Sequence, residues 1–323
     1  MRLSLMVLLA LGAASMVSAR STPVWTVTPE SVRAQEDFLA GDALRGRGSA
    51  TADEAIAAAY VASQFEGIGL RPAPGMSGYL QIAPVPPTKM TQRAGVPEGA
   101  MTTNVIGYLP GTDPKAGTLL FTAHLDHLGV RDGVTMHGAN DDASGVTAVL
   151  EIARAMAASG PHRRAILFVC YGSEEIGEVG SLWFAQHSPV PITDIVANIE
   201  FEMIGAQDPT LPPDTLMMTG YDRSTLGATL RDHGALVAAD THPEQHFFQR
   251  SDNYQLALAG VVAHTVSGWA TTPTYHRATD TIANLDIPFM VRAIQSLIGP
   301  VRWLADGDYR PTWTAEGQPH RAP

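Results

Sequence analysis

The sequence predicts an α/β fold, a mainly parallel mixed sheet sandwiched between helices, and three observations point to it. From Asn104 onward, short apolar runs of strand length recur along the 323-residue chain. Longer stretches with helical spacing separate them, and acidic residues and histidines gather just after the runs end. Strand and helix alternating in this way argue for parallel strands covered on both faces.

The amino end reads as an export signal. Arg2 gives a positive start, Leu3 to Val17 an apolar stretch, and Val17-Ser18-Ala19 the small residues of a cleavage site, so residues 1–19 are expected to be removed after Ala19. The apolar stretch falls short of the ~20 residues a spanning helix needs, and no membrane association is expected after cleavage. Residues 20–306 are expected to form one domain, with residues 20–80 as a helical segment packed on the rest. Thr28-Pro29-Glu30 starts one helix. Thr51-Ala52-Asp53-Glu54 starts another as a capping box, with Thr51 as the cap and Glu54 reaching back. Ile56, Tyr60, Val61 and Phe65 mark its apolar face, which ends near Gly67.

Leu119 to Ala123 and Ile166 to Cys170 read as strands, with a helix from about Ser144 to Ala158 between them that Gly160-Pro161 closes. Further strands are expected at Ile195 to Phe201, Leu216 to Met218 and Val261 to Val266. A last amphipathic helix then carries Met290, Ile294, Leu297, Val301 and Leu304. Residues 307–323, with scattered prolines and polar residues, read as a loose tail.

Composition narrows the function. A hydrophobic share of 45% with 16% charged residues is ordinary for a globular protein, and a net charge of −11 argues against a nucleic-acid partner, which needs clustered Lys and Arg. Cys170 is the one cysteine, so no intrachain disulfide forms, and a thiol inside an apolar strand is usually inert.

The chemistry-bearing residues follow the strands. His124-Leu125-Asp126 comes after the first of them, and Asp141-Asp142 stands in the loop that opens the Ser144 helix. Glu174-Glu175 follows the Ile166 strand, Glu202 follows the next, and His276 stands in Thr274-Tyr275-His276. The carboxyl ends of strands in an open α/β sheet form the ligand crevice, so separate strands can deliver these groups to one place. Two imidazoles and several carboxylates suit zinc, and manganese or cobalt less well. A pair of divalent ions about 3.5–4 Å apart needs an anion between them to offset their repulsion. Adjacent glutamates on a loop diverge, so one of Glu174 and Glu175 can bind metal while the other faces water. A single histidine is more often structural than ligating; here the joint pattern favours a metal site. His242 and His246 lie four apart, but Pro243 intervenes and Glu244 is misplaced for a His-Glu-x-x-His helix. No Gly-x-Ser-x-Gly elbow occurs, and Gly46-Arg47-Gly48 lacks the third glycine and the preceding strand of a nucleotide loop.

With these motifs in this order, the sequence resembles the zinc aminopeptidase family, in particular bacterial exported two-zinc leucyl-type enzymes, a family that also includes glutamate carboxypeptidases and glutaminyl cyclases. The resemblance runs from about Phe38 to Leu285. It rests on His124-x-Asp126, on Asn-Asp-Asp-Ala-Ser-Gly at Asn140 to Gly145, on Glu174-Glu175, and on Tyr275-His276 ahead of Asp280-Thr281. It implies a peptide-bond hydrolase with two zinc ions bridged by Asp141, one completed by His124 and Glu202 and the other by Glu175 and His276. Glu174 is implied as the general base, Asp126 as the residue holding the His124 ring, and Tyr275 as the group stabilising the oxyanion. Arg250 and Asp252, in Arg250-Ser251-Asp252, match a loop bordering the substrate pocket, with a plain surface turn as the alternative. Peptides with a free amino end are the expected substrates, since clustered carboxylates can hold an ammonium and Arg250 alone is a thin clamp for a terminal carboxylate. The family usually has Asp where Glu202 stands. The extra methylene implies that the local backbone retreats or that its ion is held more loosely. Two other readings are a single-zinc glutaminyl cyclase-like enzyme, which lacks the first histidine, and a silent receptor-like relative, which should have lost ligands. The presence of His124, of all five ligand positions and of Glu174 weighs against both.

Overall fold

A computed structural model of the protein describes residues 25–320, and the expected export signal lies outside the described residues. The strands are β1 (Leu80–Pro84), β2 (Met101–Leu109), β3 (Thr118–His124), β4 (Gly129–Arg131), β5 (Val134–Met136), β6 (Ala165–Tyr171), β7 (Ile195–Glu202), β8 (Leu216–Met218), β9 (Val237–Ala239) and β10 (Ala263–Ser267). The helices are α1 (Pro29–Leu39), α2 (Ala52–Ile68), α3 (Lys89–Arg93), α4 (Ser144–Ser159), α5 (Val179–Gln186), α6 (Leu226–Asp232), α7 (Asn253–Leu258) and α8 (Ile287–Asp306).

Eight strands form one sheet in the order β1-β2-β6-β3-β7-β10-β8-β9, and β4 pairs with β5 as a separate hairpin. The centre is parallel, with β6, β3, β7 and β10 side by side. Antiparallel pairing enters on the flanks, where β2 meets β6 and β1, and where β8 meets β10. The central strands are apolar on both faces for a reason visible in their alternation. Leu119 and Phe121 of β3 and Ile166 and Phe168 of β6 pack toward α1, α2, α4 and α8, while Leu120, Leu167 and Val169 point the other way, toward α5 and α7.

Several local features differ from the sequence expectations. Thr51 caps α2 by accepting the Glu54 N–H, but the Glu54 carboxylate does not return to Thr51. It is buried and receives the Ala50 N–H and the Thr102 hydroxyl instead. The buried face of α2 is Ala57, Ala58, Val61 and Phe65, whereas Ile56 is exposed and Tyr60 stacks on Phe38. The residues after Gly307 are pinned, contrary to a loose tail, as far as they are described. Arg310 donates to the Ala116 carbonyl, Thr314 N–H to that of Arg223, and Trp313 packs against Phe248 and His264. Among the described residues no helix is long and apolar enough to cross a membrane.

Candidate active site

The site lies where β3, β6 and β7 end and α4 begins. His124 is the last residue of β3, and Glu202 is the last of β7. Between β5 and α4 the chain makes an irregular turn in which Asp141 and Asp142 leave helical backbone geometry. Asp280 fixes that turn from outside by accepting the N–H groups of Asn140 at 2.8 Å and Asp141 at 3.1 Å. Asp142 ties the three elements together: its carboxylate accepts the N–H groups of His124, Gly145 and Met203 at 3.0–3.2 Å. Only glycine fits at 145, because a Cβ there would lie 2.4 Å from that carboxylate. Ser173, Met203 and His276 all take the left-handed backbone conformation, with φ of 55–58°, so three tight corners turn beside candidate ligands.

Two clusters of potential ligands share Asp141. In the first, donor atoms of His124, Asp141 and Glu202 lie within 4.8 Å of one another. His124 Nδ1 faces the Asp126 carbonyl at 3.2 Å, an acceptor, so Nδ1 is the donor there and Nε2 is the nitrogen turned to the carboxylates. That Nε2 is 3.0 Å from Asp141 Oδ1, yet it has no hydrogen-bond partner among the described residues. The second cluster is His127, Asp141 and Glu175. His276 stands outside that group but beside it, with Nε2 3.2 Å from both Asp141 Oδ2 and Glu175 Oε2.

His127 is the residue that sequence reasoning missed. Its signal was a second histidine directly after His-x-Asp, at the same strand end. Asp126 meets the His124 ring, as expected of it, but through its main-chain carbonyl. Its carboxylate stands 3.9 Å from the His124 ring and instead accepts the N–H of Glu174 at 2.9 Å and of Glu175 at 3.3 Å. Glu174 is thereby held beside both clusters and belongs to neither. Burial, reinforced by Asp252, Glu175 and Glu202 and opposed by His124, pushes its carboxyl well above the usual range. Burial likewise raises Glu202 to about 7.

Next to the clusters a cavity is lined by Glu202, Met203, Phe247, Arg250 and Tyr275 among others. Tyr275 stacks on His276 with ring centroids 3.9 Å apart. Arg250 reaches the cavity, with its guanidinium 5.1 Å over the Phe247 ring. Asp252 does not: it is fully buried and receives the Ser181 hydroxyl.

The donor set fits divalent metal. Buried His124 Nε2, His127 Nδ1, Asp141 Oδ2 and Glu175 Oε1 all lack a hydrogen-bond partner among the described residues, although each lies near another of them. Leaving such groups unpaired is costly, and mixed imidazole and carboxylate donors are those zinc takes.

Fold and site together define an α/β protein with paired histidine–carboxylate clusters at the carboxyl ends of its parallel strands. The chain belongs to peptidase family M28, whose sequence model matches residues 104–298. Leupeptin-inactivating enzyme 1 of Streptomyces exfoliatus is 31% identical over 169 residues, covering 50% of this chain and 35% of that protein. "Probable lipoprotein aminopeptidase LpqL" of Mycobacterium tuberculosis is 26% identical over 205 residues, covering 54% and 40%. The chain thus spans well under half the length of these curated relatives. Among solved structures, the zinc aminopeptidase BSAP of Bacillus subtilis superposes with a TM-score of 0.67 at 16% identity, covering 93% of this chain and 98% of that one. The aminopeptidase of Aneurinibacillus sp. strain AM-1 gives 0.65 at 15% identity, covering 91% and 97%. The fold is therefore shared with these proteins over nearly its whole extent.

Proposed function

We propose that the protein is an exported two-zinc aminopeptidase that removes residues from the free amino end of peptides, with Glu174 as the general base. One observation carries the reading: two ligand clusters share Asp141, while Glu174 is fixed beside them and left out of both. The names of the relatives, two of them aminopeptidases of the same fold, point the same way. Export is supported by the signal-like residues 1–19 and by the lipoprotein designation of LpqL.

His124, Asp141 and Glu202 would hold one ion, and Asp141, Glu175 and His276 the other. When bound, a zinc pair supplies Lewis acidity, polarising the scissile carbonyl and making water acidic enough to give hydroxide near neutral pH. Glu174 takes the proton from the attacking water as the new C–O bond forms, and gives it to the amine nitrogen as the C–N bond breaks. Asp126 keeps that carboxylate in reach through the backbone it holds. Tyr275, at the cavity wall, offers its phenol O–H to the oxyanion. The carboxylates around the cavity suit an ammonium group. Arg250, stacked on Phe247, is the one cation of the Arg250-Ser251-Asp252 turn and no paired clamp for a terminal carboxylate.

The test is a mass-spectrometric time course with the zinc-loaded mature protein on one peptide in two forms. Stepwise loss from the free amino end, with the N-acetylated form a poor substrate, is expected. Loss from the carboxyl end, or equal cleavage of both, would overturn the aminopeptidase assignment while leaving a two-metal hydrolase.

A further inference from the structure

We propose that His127 is itself a metal ligand, a fourth protein donor through Nδ1 to the ion that Asp141, Glu175 and His276 would hold. The inference rests on the two-ion reading above and deepens it.

The backbone fixes His127 firmly. Its N–H donates to the Arg47 carbonyl at 3.1 Å, and it bridges to Gly48 in parallel register. The ring is fully buried, edge-on to His276 with centroids 5.8 Å apart. Gly138 makes room for it, since a Cβ at 138 would lie 2.5 Å from His127 Cγ. A buried structural histidine ordinarily donates at least one ring N–H. Here neither ring nitrogen has a hydrogen-bond partner among the described residues.

The nitrogen is nonetheless crowded by acceptors. Nδ1 lies 2.8 Å from Glu175 Oε1 and 3.7 Å from Asp141 Oδ2, close enough to the first but without hydrogen-bond geometry. His276 Nε2 lies 3.2 Å from an oxygen of each of the same two carboxylates. The two rings meet different oxygens of Glu175, His127 at Oε1 and His276 at Oε2, and both face Asp141 Oδ2. Donor atoms of His127, Asp141 and Glu175 lie within 4.8 Å of one another, the mutual closeness of groups that share an ion. His276 is a weaker anchor alone, being 35% exposed on a turn. With His127 the residues that would hold this ion number four, against the three of His124, Asp141 and Glu202 that would hold the other. The ion at Glu175 should accordingly be the more tightly held.

The test reads coordination directly. Long-range proton–nitrogen correlation spectra of the ¹⁵N-histidine-labelled protein, metal-free and zinc-loaded, would report both His127 nitrogens, assigned with His127→Phe or, if that variant does not fold, His127→Asn. Native mass spectrometry would count zinc in wild type, in His276→Ala and in the double variant with His127→Phe. The expected result is an unprotonated, metal-shifted Nδ1 and a protonated Nε2 in the loaded protein. His276→Ala should retain a second zinc at least ~10-fold more weakly, and the double variant should lose it. Two bound zinc ions with Nδ1 still protonated would overturn the inference and make His127 a positioning residue for Glu175. A wild-type count of one would overturn the two-ion reading itself.

Discussion

Asp126 holds Glu174 by its backbone: Oδ1 accepts the Glu174 N–H at 2.9 Å, and Oδ2 that of Glu175 at 3.3 Å. The same residue touches the His124 ring only through its main-chain carbonyl. Its carboxylate therefore anchors the turn that carries Glu174 and Glu175, whereas the family resemblance implied that it backs the His124 ring.

That division makes Asp126→Asn informative. The amide can accept with one atom only, so one of the two N–H groups loses its acceptor and the glutamate turn shifts. At saturating zinc we expect two ions bound and a kcat lowered by roughly 10- to 100-fold. Steady-state kinetics with parallel zinc analysis checks this; unchanged kcat with weakened zinc binding would return Asp126 to the role of holding His124.

Glu174→Gln keeps the shape of the side chain and removes its basicity. The variant should fold, retain its zinc and lose turnover by about 10²- to 10⁴-fold. Zinc loss that parallels the loss of rate would mean that Glu174 and Glu175 have exchanged roles.

Arg47 is a fully buried guanidinium that donates to the carbonyls of Leu39, Leu125, His137 and Gly138, lacing the end of β3 to the turn that carries Asp141. Arg47→Met leaves those carbonyls without their donor. A loss of at least about 3 kcal/mol in a urea titration is expected. A change under 1 kcal/mol would show that water replaces the guanidinium.

What a sequence reveals of this fold depends on the range of each interaction. The central strands, α4 and the candidate ligands were legible because apolar runs and the residues that end them are local signals. What was not legible depends on partners distant in the chain. Arg47 reads as part of a failed nucleotide loop until Gly138, 91 residues on, is seen to accept from it. Glu54 has the spacing of a capping box, but Thr102 competes for its carboxylate from β2. The tail beyond Gly307 looks loose by composition, and only the folded body supplies the Ala116 and Arg223 carbonyls that bind it. His127 was open to view, yet its buried place beside Glu175 depends on a glycine at 138 that clears space for the ring.

His264 gives the protein an acid-sensitive core. Its ring is fully buried, with Nδ1 against the Thr219 carbonyl at 2.9 Å and Nε2 against the Ser224 hydroxyl at 2.7 Å. Burial lowers its pKa from 6.5 to about 4, so the unfolded chain binds a proton first as pH falls. Stability from this residue is complete above pH 6.5 and declines as pH drops toward 4, by about 3 kcal/mol in all. The difference in urea midpoints between wild type and His264→Gln across pH 4–7 isolates the effect. Parallel curves over that range would remove His264 as the cause.

The claim that two ions share Asp141 is tested most directly by native mass spectrometry of the zinc-loaded mature protein beside Asp141→Asn, with circular dichroism to establish that both are folded. Two zinc ions on the wild type and none retained by the variant are predicted, because the bridge contacts both. One ion on a fully active wild type, or an Asp141→Asn protein that still holds two, would contradict it.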